Sequence, residues 1–345
     1  VGGVILTKER MLVSFEPRVL IRYTLIESGS PTLLRFRPFL AFRSVNELTH
    51  ENARACTNMD ECEHGRYNRM YPEFPALYMQ FSKAVEYHHD PAWYKGIEYP
   101  KEQERGYEYK EDLMVPGYFE LPMRKGESVI FAAGITETDT SKLKTIWTKE
   151  LKRRNARTDM FACLKNSAAQ FYKREGDKCY LLAGYPWYHA QARSAFFATP
   201  SCTLDIDRPE YWDAIIDKTA VGEVRAFMAG QTDQIKMTGM DDPDALLWFV
   251  RACQKYAHKY TVHEAAEKYG ELCREIVDFY RRQNHPRAIV HQNGLIWVDG
   301  TEHPATWMSA VENGRPITPR TGYVVEINAL WYNALKFTEE LLRDM

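Results

Sequence analysis

A chain of 345 residues, 45% of them hydrophobic, carries enough apolar material for about two packed domains. Its 45 Lys and Arg nearly balance 47 Asp and Glu, a net charge of −2, so it lacks the basic excess of a nucleic-acid binder. No run of 18 apolar residues is present, which argues against a helical membrane span.

The N-terminus, VGGVILTKERMLVSFEP, has neither the basic-apolar-small order of a signal peptide nor an initiator Met, so a fragment or trimmed chain is expected. Short β-branched, aromatic and aliphatic runs follow: TLLRFRPFLAFRS at 32–44, PALYMQFS at 75–82 and ESVIFAAGI at 127–135. The first alternates Arg with apolar residues, as a half-buried strand does. Turn-forming clusters separate them, and the pattern predicts a β-sandwich over residues 1–136. Cys56, Cys62 and His64 match no zinc spacing. The seven Cys, odd in number and without a C-x-x-C pair, suit reduced thiols in a cytoplasmic protein. No metal and no cofactor is expected.

From Thr136 the period changes, with a helical linker predicted over 137–160 and a helical domain over 161–345. SKLKTIWTKELKRR and MFACLKNSAAQFYKR read as helices, and the charge run KELKRRNAR at 149–157 suits a solvated helix face. DDPDALLWFVRACQKY offers Leu246, Phe249, Cys253 and Tyr256 as one stripe, with Pro243 at the helix start. VHEAAEKYGELCREIVDFY places Val262, Ala265, Tyr269, Leu272, Ile276 and Phe279 on one face. EINALWYNALKFTEELL does the same with Leu330, Ala334, Phe337 and Leu341. Long loops are predicted around 179–195 and 283–325, and loops of that length are often functional. Gly-rich phosphate loops, G-x-S-x-G elbows and H-E-x-x-H motifs are absent from the sequence.

Three segments, each before a helix, concentrate aromatic and planar charged groups. They are AGYPWYHAQARSAFFATP with Pro186, Trp187, Tyr188 and Arg193; GMDDPDALLWF with Asp241, Asp242 and Asp244; and TWMSAVENGRPITPRTGYVVEINALWYN with Trp307, Arg315, Arg320, Glu326 and Trp331. Sugars present apolar C–H faces to rings and hydroxyls to Arg, Asp and Glu, so this inventory suits a carbohydrate better than a phosphate or a lipid. Each residue also has a plainer role open to it. The three Trp suit a core, Asp242, Asp244 and Glu326 suit a helix N-terminus, Arg320 suits a structural clamp, and His189 suits packing or surface.

These segments resemble the glycogen debranching enzyme family, the amylo-α-1,6-glucosidase type of glycoside hydrolase. SFEPRVLIRYTL, RPFLAFRSVNELTHEN and QERGYEYKEDLMVPGYFEL look like its N-terminal domain; AGYPWY, DPDALLWFV, NGLIWVDG, TWMSA and TPRTGYVVEINALWYNAL follow its later motifs in order. The resemblance implies a β-sandwich followed by an (α/α)6 toroid. It also implies hydrolysis of α-1,6-linked glucose at branch stubs, with glycogen or a branched α-glucan oligosaccharide as the partner. Asp244, Trp307, Arg320 and Glu326 match the family pattern, and Trp187 and Arg193 lie in its first sugar-binding segment.

Two departures matter. Where the family has Trp-Gly-Arg-Asp, this chain has Gln191, Ala192, Arg193 and Ser194; where TWMDA supplies the expected general acid, it has Ser309. A serine hydroxyl is a poor proton donor to a glycosidic oxygen near neutral pH. Inverting glycosidases need two carboxyl groups roughly 6.5–9.5 Å apart, and the family's base is expected on a helix beyond EINALWYNAL. With the sequence ending at Met345, the resemblance implies a partial toroid, cut short before that base. Glu326 is then the catalytic candidate, Ser309 occupies the acid's position, and Trp187, Arg193, Asp244, Trp307 and Arg320 are the substrate-binding candidates. A glucan-binding homologue that lost its acid at Ser194 and Ser309 is the alternative, and a helical interaction protein a third.

Overall fold

The computed structural model describes residues 3–185 and 187–345 and divides into two units, Val1–Asn155 and Ala156–Met345. Pro186, one of the loop residues singled out above, lies outside the described residues.

The first unit is built on β1 (Ile5–Leu12), β2 (Arg18–Glu27), β3 (Thr32–Phe36), β4 (Asp60–Cys62), β5 (Gly65–Asn68), β6 (Leu77–Phe81), β7 (Glu86–Glu98), β8 (Lys110–Met123) and β9 (Ser128–Gly134), with a short α1 (Pro100–Glu104) between β7 and β8. They form an antiparallel sheet in the order β1-β2-β9-β6-β5-β4 and a second in the order β3-β8-β7. Both sheets line one apolar cluster, with Leu25, Met79, Phe81 and Val129 from the first and Phe119, Leu121 and Met123 from the second. The strand predicted over 32–44 stops at Phe36, because Pro38 has no N–H to continue a ladder. Beyond it the chain loops back, and Leu40 exchanges both backbone hydrogen bonds with Met114. The segment expected as a linker contains α2 (Leu143–Arg153), whose Leu143 and Trp147 pack with Val13, Leu20 and Ile130. That burial ties α2 to the first unit and puts the break between Asn155 and Ala156.

The second unit begins with α3 (Met160–Ala168) and a hairpin of β10 (Tyr172–Glu175) and β11 (Lys178–Leu181). The helix predicted through FYKR ends early here. Phe171 and Tyr172 favour extended backbone, and Gly176, at φ 65°, supplies the turn. Next come α4 (Ala192–Thr203), a continuous helix made of α5 (Pro209–Trp212), a wide π turn and α6 (Val221–Met228), and α7 (Ala245–Lys259). A second helix with a wide turn joins α8 (Val262–Ala265) to α9 (Glu271–Arg281). Short hairpins β12–β13 (Ala288–Val290, Ile296–Val298) and β14–β15 (Val311–Glu312, Arg315–Pro316) precede α10 (Val325–Asp344).

The apolar stripe of α7 is the one its spacing predicts, with Leu246, Phe249, Cys253 and Tyr256 all buried. The stripe of α9 also lies inward, with Leu272, Ile276 and Phe279 in the core. On α10 the inward face is Ile327, Trp331, Ala334, Phe337 and Leu341, while Leu330 only flanks it. Pro243 precedes the α7 start instead of opening it: Asp244 is the cap, and the Pro243 carbonyl accepts from the Tyr280 hydroxyl at 2.9 Å. α7 packs against both α4 and α10. Because Tyr280, at the end of α9, reaches the start of α7 and its ring also meets that of Trp331 at a tilt, 5.7 Å between centroids, the N-termini of α7 and α10 sit at the same end of the unit. The Arg193–Asp244 pair described below adds the start of α4.

Candidate functional site

The loop before α7 turns at Gly239, at φ 68°, and brings Asp242 and Asp244 together. Asp244 does not cap its helix with its own side chain. Its carboxylate is turned instead to Arg193 on the first turn of α4, whose Nε donates to both oxygens at 2.9 and 2.8 Å, while Trp248 Nε1 donates to Oδ2 at 3.3 Å. Asp244 is buried, so its oxygens are occupied by protein partners. The helix-dipole role open to it is thereby replaced by a charge-assisted pair.

Arg193 also places Nη2 3.0 Å from Asp242 Oδ2, an ion pair without hydrogen-bond alignment, and that Nη2 has no hydrogen-bond partner among the described residues. Burial acts to lower the Arg193 pKa, but the hydrogen bond and charge of Asp244, helped by Asp242, outweigh it and raise the net value. Asp242 moves the other way for an acid: burial pushes its carboxyl up, and the charge of Asp244 adds to this against the pull of Arg193 and Arg287.

Arg287 extends the cluster. Its Nη1 donates to Asp242 Oδ1 at 2.9 Å, and its Nη2 donates to the His303 and Pro304 carbonyls at 3.1 and 2.6 Å. One guanidinium thus fastens the loop before α7 to the backbone leading into Thr306 and Trp307. Beneath it His285 is buried, stacked on Tyr280 at 4.8 Å, with Nδ1 accepting from the Arg287 N–H at 3.1 Å. Burial, reinforced by the Arg287 charge, pulls this imidazole down to about 3. Neither Arg287 nor His285 is singled out by the sequence pattern. A single Arg after a Pro in NHPRAIV carries no periodic or motif signal.

The third loop is shaped by the Asn313-Gly314 turn of β14–β15, with φ of 50° and 79°, and by a close approach at Gly300. A Cβ there would lie 2.5 Å from the Arg320 carbonyl oxygen. This fixes the Arg320 backbone, and its Nη2 donates to Glu326 Oε2 at 2.6 Å in the first turn of α10. Arg320 Nη1 lies 3.6 Å from the Met308 sulfur. The other oxygen of Glu326, Oε1, is buried without a partner among the described residues. Arg320 therefore does act as a clamp, and what it clamps is the candidate carboxylate.

The three Trp part company. Trp331 is 3% exposed and donates to the Gly294 carbonyl at 3.0 Å, which makes it core. Trp187 and Trp307 are 56% and 65% exposed, and neither has an aromatic partner among the described residues. Ser309 is exposed and its N–H donates to the Trp307 carbonyl at 2.9 Å; Ser194 Oγ donates to Gln191 Oε1 at 3.3 Å. His189 is exposed. Arg193, Asp242, Asp244 and Arg287 thus form one charged cluster, Arg320 and Glu326 a second, and the Arg287 bridge to residues 303–304 joins the first to the loop bearing Trp307 and Met308. Two hollows of this unit, of about 410 and 100 Å³, take none of their lining from the two charged clusters or from Trp187 and Trp307; His189 lines the smaller.

A family described as Amylo-alpha-1,6-glucosidase matches residues 165–345, and one described as Glycogen debranching enzyme N terminal matches residues 1–130. The chain belongs to the glycogen debranching enzyme family. The match to the debranching family runs over both units and takes in all three loops of the candidate site. No curated protein matches the chain. For a debranching-family chain the appropriate chemistry is that of a glycogen-debranching-type glycosidase, acting on α-glucan. Among the described residues no helix is long and apolar enough to cross a membrane.

Proposed function

We propose that this chain recognises the glucose ring of an α-1,6 branch stub on a glycogen-like glucan, in the cytoplasm, and belongs to the machinery that hydrolyses that linkage. In this reading its helical unit is part of an (α/α)6 toroid whose helix N-termini form the sugar-facing end. Trp187 and Trp307 offer exposed faces to the C–H side of the ring. Arg193 and Arg320 offer planar donors to its hydroxyls, and Asp244 serves by holding Arg193 in place. The observation that carries the reading is the Arg320–Glu326 pair, within the debranching-family match, with Glu326 Oε1 unpartnered. A buried carboxylate oxygen with no protein donor is unfavourable until a hydroxyl reaches it.

A second reading is favoured by Ser309. With a hydroxyl where the family has its acid, the chain binds glucan and leaves the bond intact. Glucose release from a branched limit dextrin, measured together with calorimetry on maltooligosaccharides, separates the two. Turnover by the unaltered chain supports hydrolysis. Binding without turnover, and turnover gained by Ser309→Asp, supports the acid-less reading. No heat of binding with any α-glucan refutes both.

A further inference from the structure

The larger hollow, about 410 Å³, lies between α6 and α9, and no part of the site above uses it. Its volume falls within the range of small-ligand clefts, roughly 300–1,000 Å³. Its lining divides by chemistry. Met228, Ala229 and Phe279 give an apolar floor. Arg274 is held from behind, donating to Glu271 and, at 3.0 Å, to Asp278. Arg225, Arg282, Glu275 and Asn284 complete the rim.

The rim is held only loosely: Arg225 with Glu275 and Arg282 with Asp278 form exposed ion pairs, which cost little to open for a ligand. Arg225 approaches Glu275 only at 3.5 Å and Arg282 approaches Asp278 only at 3.7 Å, and neither guanidinium makes a side-chain hydrogen bond among the described residues. Two planar forks paired only at long range, a carboxylate and an amide therefore surround an apolar floor. Vicinal hydroxyls both donate and accept, and a guanidinium beside a carboxylate meets both needs at once. A phosphate or other anion is a poorer fit, because it would face Glu275 and Asp278 as well as the arginines.

We propose that the α6–α9 groove is a second α-glucan binding site, holding a chain segment away from the Trp307–Glu326 face. This rests on the reading that the protein recognises α-glucan. A branched polymer bridging both places would gain through effective concentration, a gain of roughly 10²–10⁴ when the geometry permits.

The test is native electrophoresis of the whole chain through gels containing glycogen. The variants are Arg225→Ala/Arg282→Ala, Arg225→Lys/Arg282→Lys, and Trp307→Ala. Both arginines are more than half exposed, so unchanged thermal melting is expected and is checked first. The Ala pair should weaken retardation about tenfold or more, and the Lys pair, which keeps charge but loses the fork, should weaken it as well. An Ala pair that migrates like the unaltered chain overturns the groove, whatever Trp307→Ala does. Full retardation of the Lys pair beside loss in the Ala pair keeps glucan in the groove and overturns the part assigned to the planar fork. Loss with Trp307→Ala alone leaves the face reading standing without the groove. Loss with the arginine pair alone keeps the groove and removes the face. An unretarded native chain ends both.

Discussion

His285 offers the sharpest test of how the site is built. In the unfolded chain its ring takes a proton near pH 6.5, but folded it does so only near 3, because it is buried against Tyr280 and sits beside the Arg287 charge. Between those values the unfolded state binds one more proton than the folded state, so stability rises with pH across the window and is lost on acidification. The loss is about 1.4 kcal/mol per pH unit. Going from neutral pH to pH 5 should therefore cost about 2 kcal/mol from this residue alone. Asp242 works in the opposite sense, since a carboxyl held above its ordinary value binds protons preferentially in the folded state. The raw slope of the unaltered protein mixes the two, so the comparison must be with a variant. His285→Asn keeps an acceptor for the Arg287 N–H and removes the titration. Urea unfolding at half-unit steps from pH 7.5 to 5 should give a curve for the variant that is flatter by about one proton. Parallel curves would mean that His285 is protonated in the folded protein, and the account of a dry, arginine-facing floor beneath the cluster would be wrong.

The remaining predictions concern the two charged pairs and the rings. Asp244→Ala leaves Arg193 buried with only a misaligned Asp242, and should cost about 3 kcal/mol or more in urea unfolding; a loss below about 1 kcal/mol would show that Arg193 swings out to water. Trp307→Ala should change stability by no more than about 0.5 kcal/mol yet remove the Trp307–Glu326 face's share of the calorimetric signal with maltooligosaccharides. Trp331→Ala, removing a buried ring, should cost about 3–5 kcal/mol, and equal effects from the two would contradict their different placement. Gly300→Ala puts a methyl 2.5 Å from the Arg320 carbonyl oxygen and 2.7 Å from its N, so the Arg320 segment must shift. The expected result is a lower melting temperature together with weaker glucan binding, and an unchanged protein on both counts would refute the close approach.

The helices were legible because burial is periodic: the stripes on α7 and α9 are read directly from spacing, and their residues are in the core. Boundaries failed where local chemistry overrides period, as at Pro38, which ends β3, and at Gly176, which turns FYKR into a hairpin. The wide turns at Asp213–Ala220 and Ala266–Gly270 were also invisible, since one extra residue per turn barely alters an apolar stripe. In the candidate site the residue types were readable but their partnerships were not. Nothing in DDPDALLWF says that Asp244 turns to Arg193, 51 positions away, instead of capping its own helix. Trp331 and Trp307 look alike as letters and differ wholly in exposure, because Trp331 lies on the inward face of α10 and Trp307 on a loop.

The same partnerships limit what the carboxylates can do. A glycosidic acid must be protonated and within reach of the leaving oxygen. Asp244 is buried with both oxygens occupied by Arg193 and Trp248, so it can act on a sugar only through the guanidinium it holds. Glu326 has one oxygen tied to Arg320, which leaves only Oε1 to meet a sugar hydroxyl. Asp242 is pushed toward its neutral form by burial, but it lies between Arg193 and Arg287, where its oxygens receive protein contacts. What remains near the exposed Trp307 ring is Ser309, two positions along the chain. Placing a carboxyl there would supply the acid of the family pattern without disturbing a buried pair, which is why turnover by Ser309→Asp tests the acid-less reading.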